Sequence, residues 1–102
     1  MMSFQLAAKQ HALEQAPKES CGIVVENVYY ACNNISDTPE DNFAIHPKDF
    51  LKARSKGKLQ YIVHSHPAGG LASKTDINAC KATKLKWYIY RNTLDEWLII
   101  NP

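Results

Sequence analysis

Short runs of β-branched and aromatic residues alternate with helix-forming segments, and this alternation limits the fold more than any other feature of the sequence. The apolar runs are CGIVVENVYYAC (21–32), LQYIVHSH (59–66), KWYIY (86–90) and EWLII (96–100). Runs of this composition and length are typical of strands buried in a sheet. The first run carries Asn27 near its middle, which predicts either a hairpin or one long bent strand.

The segments between these runs favour helices. The first is rich in Ala, Gln, Glu and Leu, and Leu6 and Leu13 stand two turns apart, which predicts a thin apolar stripe on one face. A short strand is expected at FAI, 43–45. The predicted helices are Ser3–Gln15, Lys48–Ser55 and Ser73–Thr83. The order of elements predicts a single α/β domain over residues 1–102, with a mixed β-sheet flanked by helices.

Composition excludes several classes of function. The formal net charge is only +2, which disfavours nucleic acid as a partner. No apolar run reaches the length of a membrane span, and the N-terminal segment lacks the pattern of a signal peptide. These features predict a cytoplasmic protein. The sequence Asn34-Ile35-Ser36 matches a glycosylation acceptor, but without secretion the match carries no meaning.

The three cysteines, Cys21, Cys32 and Cys80, are widely spaced, and no Cys-x-x-Cys is present. An odd number of cysteines without a secretion signal argues against a disulfide framework. We therefore expect small buried thiols in a reducing compartment.

One strand ends in a pair of candidate metal ligands. His64 and His66 are two residues apart, so both rings point to the same face, and imidazole is a common zinc ligand. Ser73 and Asp76 have the spacing of a helix cap, which would turn the carboxylate of Asp76 back toward the strand end. Two imidazoles and one carboxylate predict a three-ligand zinc site. An ordinary strand end followed by an ordinary helix cap explains these residues equally well.

A resemblance to a known family favours the metal site. HSHP (64–67) followed by SKTD (73–76), with Glu19 and Gly22 in ESCGIVV upstream, resembles the motif of the JAMM (MPN-type) metallopeptidases. The resemblance covers most of the chain and implies a JAMM/MPN-like fold with cytidine-deaminase-like architecture. The segment ACKATKLKWYIY (79–90) is also similar to the bacterial and phage tail-assembly branch of that family.

The resemblance implies a role for each matching residue. His64, His66 and Asp76 would bind one Zn²⁺ per chain, with water as the fourth ligand. Glu19 would hold and deprotonate that water as general base, and Ser73 would hydrogen-bond the oxygen of the tetrahedral intermediate. The implied reaction is hydrolysis of a peptide or isopeptide bond, in a peptide or a ubiquitin-like protein.

The same resemblance implies a phage tail protein or a cell-wall peptidase as partner, and a phage-associated location. Two other functions stay open on the sequence: a non-catalytic scaffold of the same fold, and a nucleic-acid-associated module related to DNA repair.

Two positions depart from the family pattern. The loop PAGGLA (67–72) is one residue shorter than is usual, and its glycines can absorb the deletion. His46 stands where an acid is expected before Pro47, and we predict that it caps the following helix.

Overall fold

The secondary structure follows the predicted order closely. A computed structural model describes residues 2–102. Its α-helices are α1 (Ser3–Gln15), α2 (Pro47–Arg54) and α3 (Lys74–Thr83). Its strands are β1 (Cys21–Val25), β2 (Val28–Cys32), β3 (Leu59–His66), β4 (Lys86–Arg91) and β5 (Glu96–Ile100). A short 3₁₀ turn, Asn92–Leu94, joins the last two strands. His46 caps α2 as predicted, because its Nδ1 accepts a hydrogen bond from the backbone N–H of Lys48 at 3.1 Å.

The five strands form one mixed sheet in the order β2-β1-β3-β4-β5. β3 and β4 are parallel because α3 carries the chain back between them, and the other neighbouring pairs are antiparallel. β1 and β2 form a hairpin rather than a bent strand. Its two turn residues, Glu26 and Asn27, have φ of 48° and 67°, the positive values that a two-residue hairpin loop requires. The predicted α/β class with a mixed sheet is confirmed.

Helices cover both faces of the sheet, so the interior strand β1 is buried along its whole length. On one face α1 packs on an apolar cluster that includes Phe4, Val63 and Tyr88. On the other face a second cluster includes Ile23, Ala53 of α2 and Cys80 of α3. β3 therefore leads from the middle of the core to the polar edge where His64 and His66 lie.

The predicted apolar stripe of α1 is wrong. Leu6 and Leu13 are 58% and 55% exposed, whereas Phe4, Ala8 and Ala12 are buried. The reason is the shape of the sheet surface beneath the helix. Aromatic rings cover that surface, with Phe4 against both Tyr61 and Tyr88, so small alanine side chains fit beneath the rest of the helix and branched leucines do not.

The predicted strand at 43–45 is also wrong. Only Ile45 makes a β-bridge, an isolated one to Asn34. The segment does not extend a sheet because Phe43 turns inward and stacks on the ring of His64, with ring centroids 4.4 Å apart. The cysteine prediction is confirmed in its structural part, since Cys21, Cys32 and Cys80 are buried free thiols.

The described part of the chain contains no helix with the length and apolar character needed to span a bilayer.

Candidate metal centre

The end of β3 presents two imidazoles to one point. His64 and His66 lie on the same face of the strand, and their Nε2 atoms are 3.2 Å apart. His64 is fully buried and His66 is partly exposed, so the pair extends from the core to a cleft.

Asp76 reaches both histidines from the first turn of α3. Its Oδ1 lies 3.3 Å from His64 Nε2, and its Oδ2 lies 3.2 Å from His66 Nε2. A capping box fixes the carboxylate: Ser73 Oγ accepts from the N–H of Asp76, and Asp76 Oδ2 accepts from the N–H of Ser73, both at 3.0 Å. Cap and candidate ligand are therefore the same structural unit rather than alternatives.

These separations fit a zinc ion. Donor atoms around a tetrahedral zinc with bonds of about 2.0–2.2 Å stand roughly 3.3–3.6 Å apart, the edge length of the tetrahedron. The two imidazole nitrogens are 3.2 Å apart, and each lies 3.2–3.3 Å from a different oxygen of the Asp76 carboxylate. Two neutral nitrogens and one carboxylate are also a donor set that zinc prefers. The residues present therefore fit the ion that the family implies.

The orientation of His66 is fixed by the shortened loop. Its Nδ1 lies 2.9 Å from the carbonyl oxygen of Gly70, so Nδ1 carries the proton and Nε2 keeps its lone pair for a metal. The loop turns sharply at Gly69, whose φ is +85° and whose carbonyl accepts from Arg91 Nε at 2.8 Å. A Cβ at Gly69 would also collide with Thr93. The glycines thus absorb the missing residue, and both Ser73 and Asp76 reach the cleft.

Aromatic packing fixes the orientation of His64. Phe43 stacks on its ring at 4.4 Å, and Trp87 meets it edge-on with ring centroids 5.4 Å apart. His64 Nδ1 is buried and has no hydrogen-bond partner within residues 2–102. The ring is therefore held by shape, and its Nε2 is left facing His66 and Asp76.

Glu19 completes the cluster from the start of β1. It is buried, and one oxygen of its carboxylate lies within 4.8 Å of a nitrogen of each histidine. Burial raises the pKa of Glu19 to about 7, and the positive charge of a protonated His66 opposes that rise. A carboxyl group with this pKa can both accept and release a proton near neutral pH.

The surroundings shift the pKa values of Asp76, His64 and His66 in different directions. Burial raises the pKa of Asp76, but hydrogen bonds from His64, His66 and the Ser73 backbone outweigh it and hold that pKa well below its usual range. Burial lowers the pKa of His64. Burial also acts to lower the pKa of His66, yet hydrogen bonds to Asp76 and Gly70 raise it above its ordinary value. His66 is therefore the more basic of the two imidazoles.

The cluster opens into a cleft of about 330 Å³. Four of the five predicted site residues line the cleft: Glu19, His66, Ser73 and Asp76. The fifth, His64, lies beneath the surface beside them. The exposed hydroxyl of Ser73 uses its lone pair in the helix cap, so its proton is free to be donated into the cleft.

Sequence reasoning missed three residues of this site. Phe43 and Trp87 pack on His64, and the carbonyl of Gly70 orients His66. The first two belong to apolar runs with no distinguishing pattern, and a backbone carbonyl leaves no trace in the sequence. Gly22 of the Glu-x-x-Gly stretch has a packing role, since a Cβ there would lie 2.5 Å from both the Tyr29 ring and the Tyr30 carbonyl oxygen.

Comparison with known proteins gives similarities of sequence and of fold. The family described as prokaryotic homologs of the JAB domain matches residues 3–100. The tail tip assembly protein K of Escherichia phage N15 is 38% identical over an alignment of 88 positions that covers 81% of this chain. The match spans only 36% of that phage protein's length.

A solved structure shares the fold. The solution structure of a protein from Desulfitobacterium hafniense superposes with a TM-score of 0.73 at 23% identity, over 94% of this chain and 76% of the other. The family match over nearly the whole length gives the assignment: the chain belongs to the prokaryotic branch of the JAB (MPN-type) domain family.

Proposed function

We propose that this domain is a zinc-dependent amide hydrolase that cleaves a peptide or isopeptide bond. One observation carries the proposal: the donor atoms of His64, His66 and Asp76 meet at 3.2–3.3 Å beside a buried carboxyl group. A site that only stabilised the fold would not need a proton acceptor in the cleft. Membership of the JAB family supports the same reaction.

In this proposal His64, His66 and Asp76 hold the zinc. When bound, zinc polarises the substrate carbonyl and lowers the pKa of a coordinated water to about 7. The Glu19 carboxylate is close enough to both histidines to reach a shared ion, but the shortest contacts to the histidines come from Asp76. We therefore assign the ligand role to Asp76 and the role of base to Glu19. Its carboxylate takes a proton from the attacking water and returns it to the leaving amine.

Ser73 stabilises the negative charge that develops on the substrate oxygen. Its hydroxyl is fixed at the start of α3 by the capping box and can donate a hydrogen bond to the oxygen that becomes negative during attack. The N-terminus of α3 adds the positive end of the helix dipole at the same place.

The test uses zinc-loaded protein and a pool of quenched fluorescent peptides at pH 7.5. We expect about one zinc per chain, cleavage of some peptides, loss of cleavage with a chelator, and recovery on adding zinc. Glu19→Gln should keep the zinc and lose about a hundredfold or more in rate. Glu14→Gln, on the exposed side of α1, is the matched control. Zinc-independent cleavage, or full activity in Glu19→Gln, would refute the proposal.

A second candidate is a non-catalytic scaffold in a phage tail. It is favoured by the similarity to a tail tip assembly protein, and our proposal places the domain in tail assembly in either case. The two candidates differ in one measurement. If phage assembly tolerates Glu19→Gln but not a misfolded domain, the folded domain is enough for assembly and hydrolysis is not required. If Glu19→Gln blocks tail maturation while the domain stays folded and zinc-loaded, hydrolysis is required.

A further inference from the structure

Asn34 is the most heavily hydrogen-bonded side chain in the loop that faces the metal centre. This loop, residues 33–46, runs from the end of β2 to the start of α2. The Oδ1 of Asn34 accepts from the backbone N–H of Ser36 and of Ala44, at 3.0 and 3.1 Å. Its Nδ2 donates to the carbonyl oxygens of Glu19 and Asn42, both at 3.0 Å, with Pro39 at 3.4 Å. Donor and acceptor sides are thus both fully used.

The contact with Glu19 is part of a larger clamp on its backbone. The N–H of Glu19 donates to the carbonyl of Pro39 at 2.7 Å, while its own carbonyl accepts from Asn34. The next residue, Ser20, is bound to Ser65 twice: its N–H donates to Ser65 Oγ at 2.7 Å, and its carbonyl accepts from the Ser65 N–H at 3.1 Å. Ser65 lies between His64 and His66. Glu19 is therefore fixed on one side to the histidine strand and on the other side to Asn34.

Asn34 also holds the opposite wall of the cleft. The carbonyl that it binds in Asn42 belongs to the peptide bond leading into Phe43, whose ring stacks on His64. One amide group therefore joins the backbone of the acid and the backbone of the aromatic residue that packs on a candidate ligand. No other side chain in residues 2–102 hydrogen-bonds the backbone of Glu19.

We propose that Asn34 is a positioning residue that fixes Glu19 at the working distance from the metal centre. This inference rests on the proposed hydrolase function. Asn34 does not touch the cleft's reacting atoms; it acts through the peptide groups that flank the acid. Asn34-Ile35-Ser36 matches a glycosylation acceptor, but the Asn34 amide is hydrogen-bonded within the fold and is not available for a sugar.

The expected effect is on turnover rather than on binding. Without the amide, the carbonyl of Glu19 loses its only side-chain partner, and its carboxylate can shift by a fraction of an ångström to about one ångström. A misplacement of about 1 Å costs on the order of a hundredfold in rate. The candidate ligands on β3 and α3 make no hydrogen bond to Asn34, which reaches His64 only through the ring of Phe43. Zinc content should therefore be unchanged, and it is measured beside kcat.

The experiment compares Asn34→Ala with Ser36→Ala in the zinc-loaded protein. Ser36 lies in the same loop and accepts from the Thr38 N–H, but it does not contact Glu19. We expect Asn34→Ala to lower kcat about tenfold to a hundredfold with KM changed by less than about twofold, and Ser36→Ala to leave kcat within about twofold. In a Glu19→Gln background, Asn34→Ala should cost nothing further, because both changes act through one group.

A readout that needs no substrate accompanies the kinetics. Amide hydrogen exchange of the Glu19 N–H should become at least about tenfold faster in Asn34→Ala and stay unchanged in Ser36→Ala. If Asn34→Ala does not fold, Asn34→Ser replaces it, since its hydroxyl can accept from the N–H of Ser36 but is too short to reach the carbonyl of Glu19.

Unchanged exchange at Glu19, or a rate loss that adds to that of Glu19→Gln, would overturn the positioning role. Full activity in Glu19→Gln itself would instead overturn the proposed hydrolase, while the exchange data would still decide whether Asn34 fixes the acid.

Discussion

A buried acid beside a metal-free site should make folding stability depend on pH in a way that Glu19→Gln removes. The pKa of Glu19 rises from 4.5 to about 7 in the folded protein, chiefly through burial. Below pH 4.5 the acid is protonated in both states and contributes nothing. Between 4.5 and 7 the unfolded chain loses the proton more easily than the folded one, so rising pH destabilises the fold, and above 7 the penalty is complete.

The magnitude follows from that shift. One pKa unit corresponds to about 1.4 kcal/mol, so the full rise is worth about 3 kcal/mol. The carboxyl group faces an open cleft on one side, and screening by water reduces the expected penalty to about 1–2 kcal/mol. Metal-free Glu19→Gln should therefore gain about 1–2 kcal/mol of unfolding free energy over the wild type between pH 5 and pH 8.5.

The assay is urea unfolding of metal-free protein, followed by the fluorescence of Trp87 and Trp97, at both pH values. The Glu19 carboxylate helps to raise the pKa of His66, so the difference between variant and wild type reports the titration of the pair rather than of Glu19 alone. Glu14→Gln serves as the control, since this acid is exposed and its change should leave the difference near zero at both pH values. A stability difference that is the same at pH 5 and pH 8.5 would mean that Glu19 is solvated, and the argument for a poised base would fail.

Three further predictions concern the same site. His66→Ala should lose zinc, and in the wild type zinc affinity should fall as the pH is lowered, because the raised pKa of His66 lets protons compete; chelator competition with a zinc dye measures both. Ser73→Ala should cost about 1 kcal/mol in thermal unfolding through loss of the cap. It should also lower kcat about a hundredfold. If only the stability changes, Ser73 caps the helix and has no role in the reaction. Gly22→Ala should destabilise the fold by about 1–3 kcal/mol in urea unfolding, since its Cβ would overlap both the Tyr29 ring and the Tyr30 carbonyl oxygen. Wild-type stability would show that the ring and the backbone of β2 both give way.

The sequence predicted the elements well because their patterns are local. The strand ending at His66 and the helix capped by Ser73 are specified by alternation and by cap chemistry within a few residues. The buried face of α1 was missed because it depends on the rings of Tyr61 and Tyr88, which come from strands far along the chain. No local pattern could select alanines over leucines there.

The candidate site shows the same division. The spacing within HSHP and SKTD is enough to predict that two imidazoles and one carboxylate meet, since each pair is local. The proximity of Glu19 to them is a matter of strand pairing between β1 and β3, and only the family resemblance brought it into the prediction. The contributions of Phe43 and Asn34 depend on the path of an irregular loop. Its turn residues can be recognised in the sequence, but they do not show which part of the fold the loop packs against.

The loop between β3 and α3 determines how metal binding is related to folding. The donors lie at the two ends of residues 67–75, and the contacts of His64 and His66 with Asp76 already join these ends. An ion bound there would link two ends that the fold holds together without it, so folding should not depend on the ion. Zinc loading should therefore be a reversible exchange on a preformed protein, and metal supply would set the fraction of active molecules without changing the amount of folded protein.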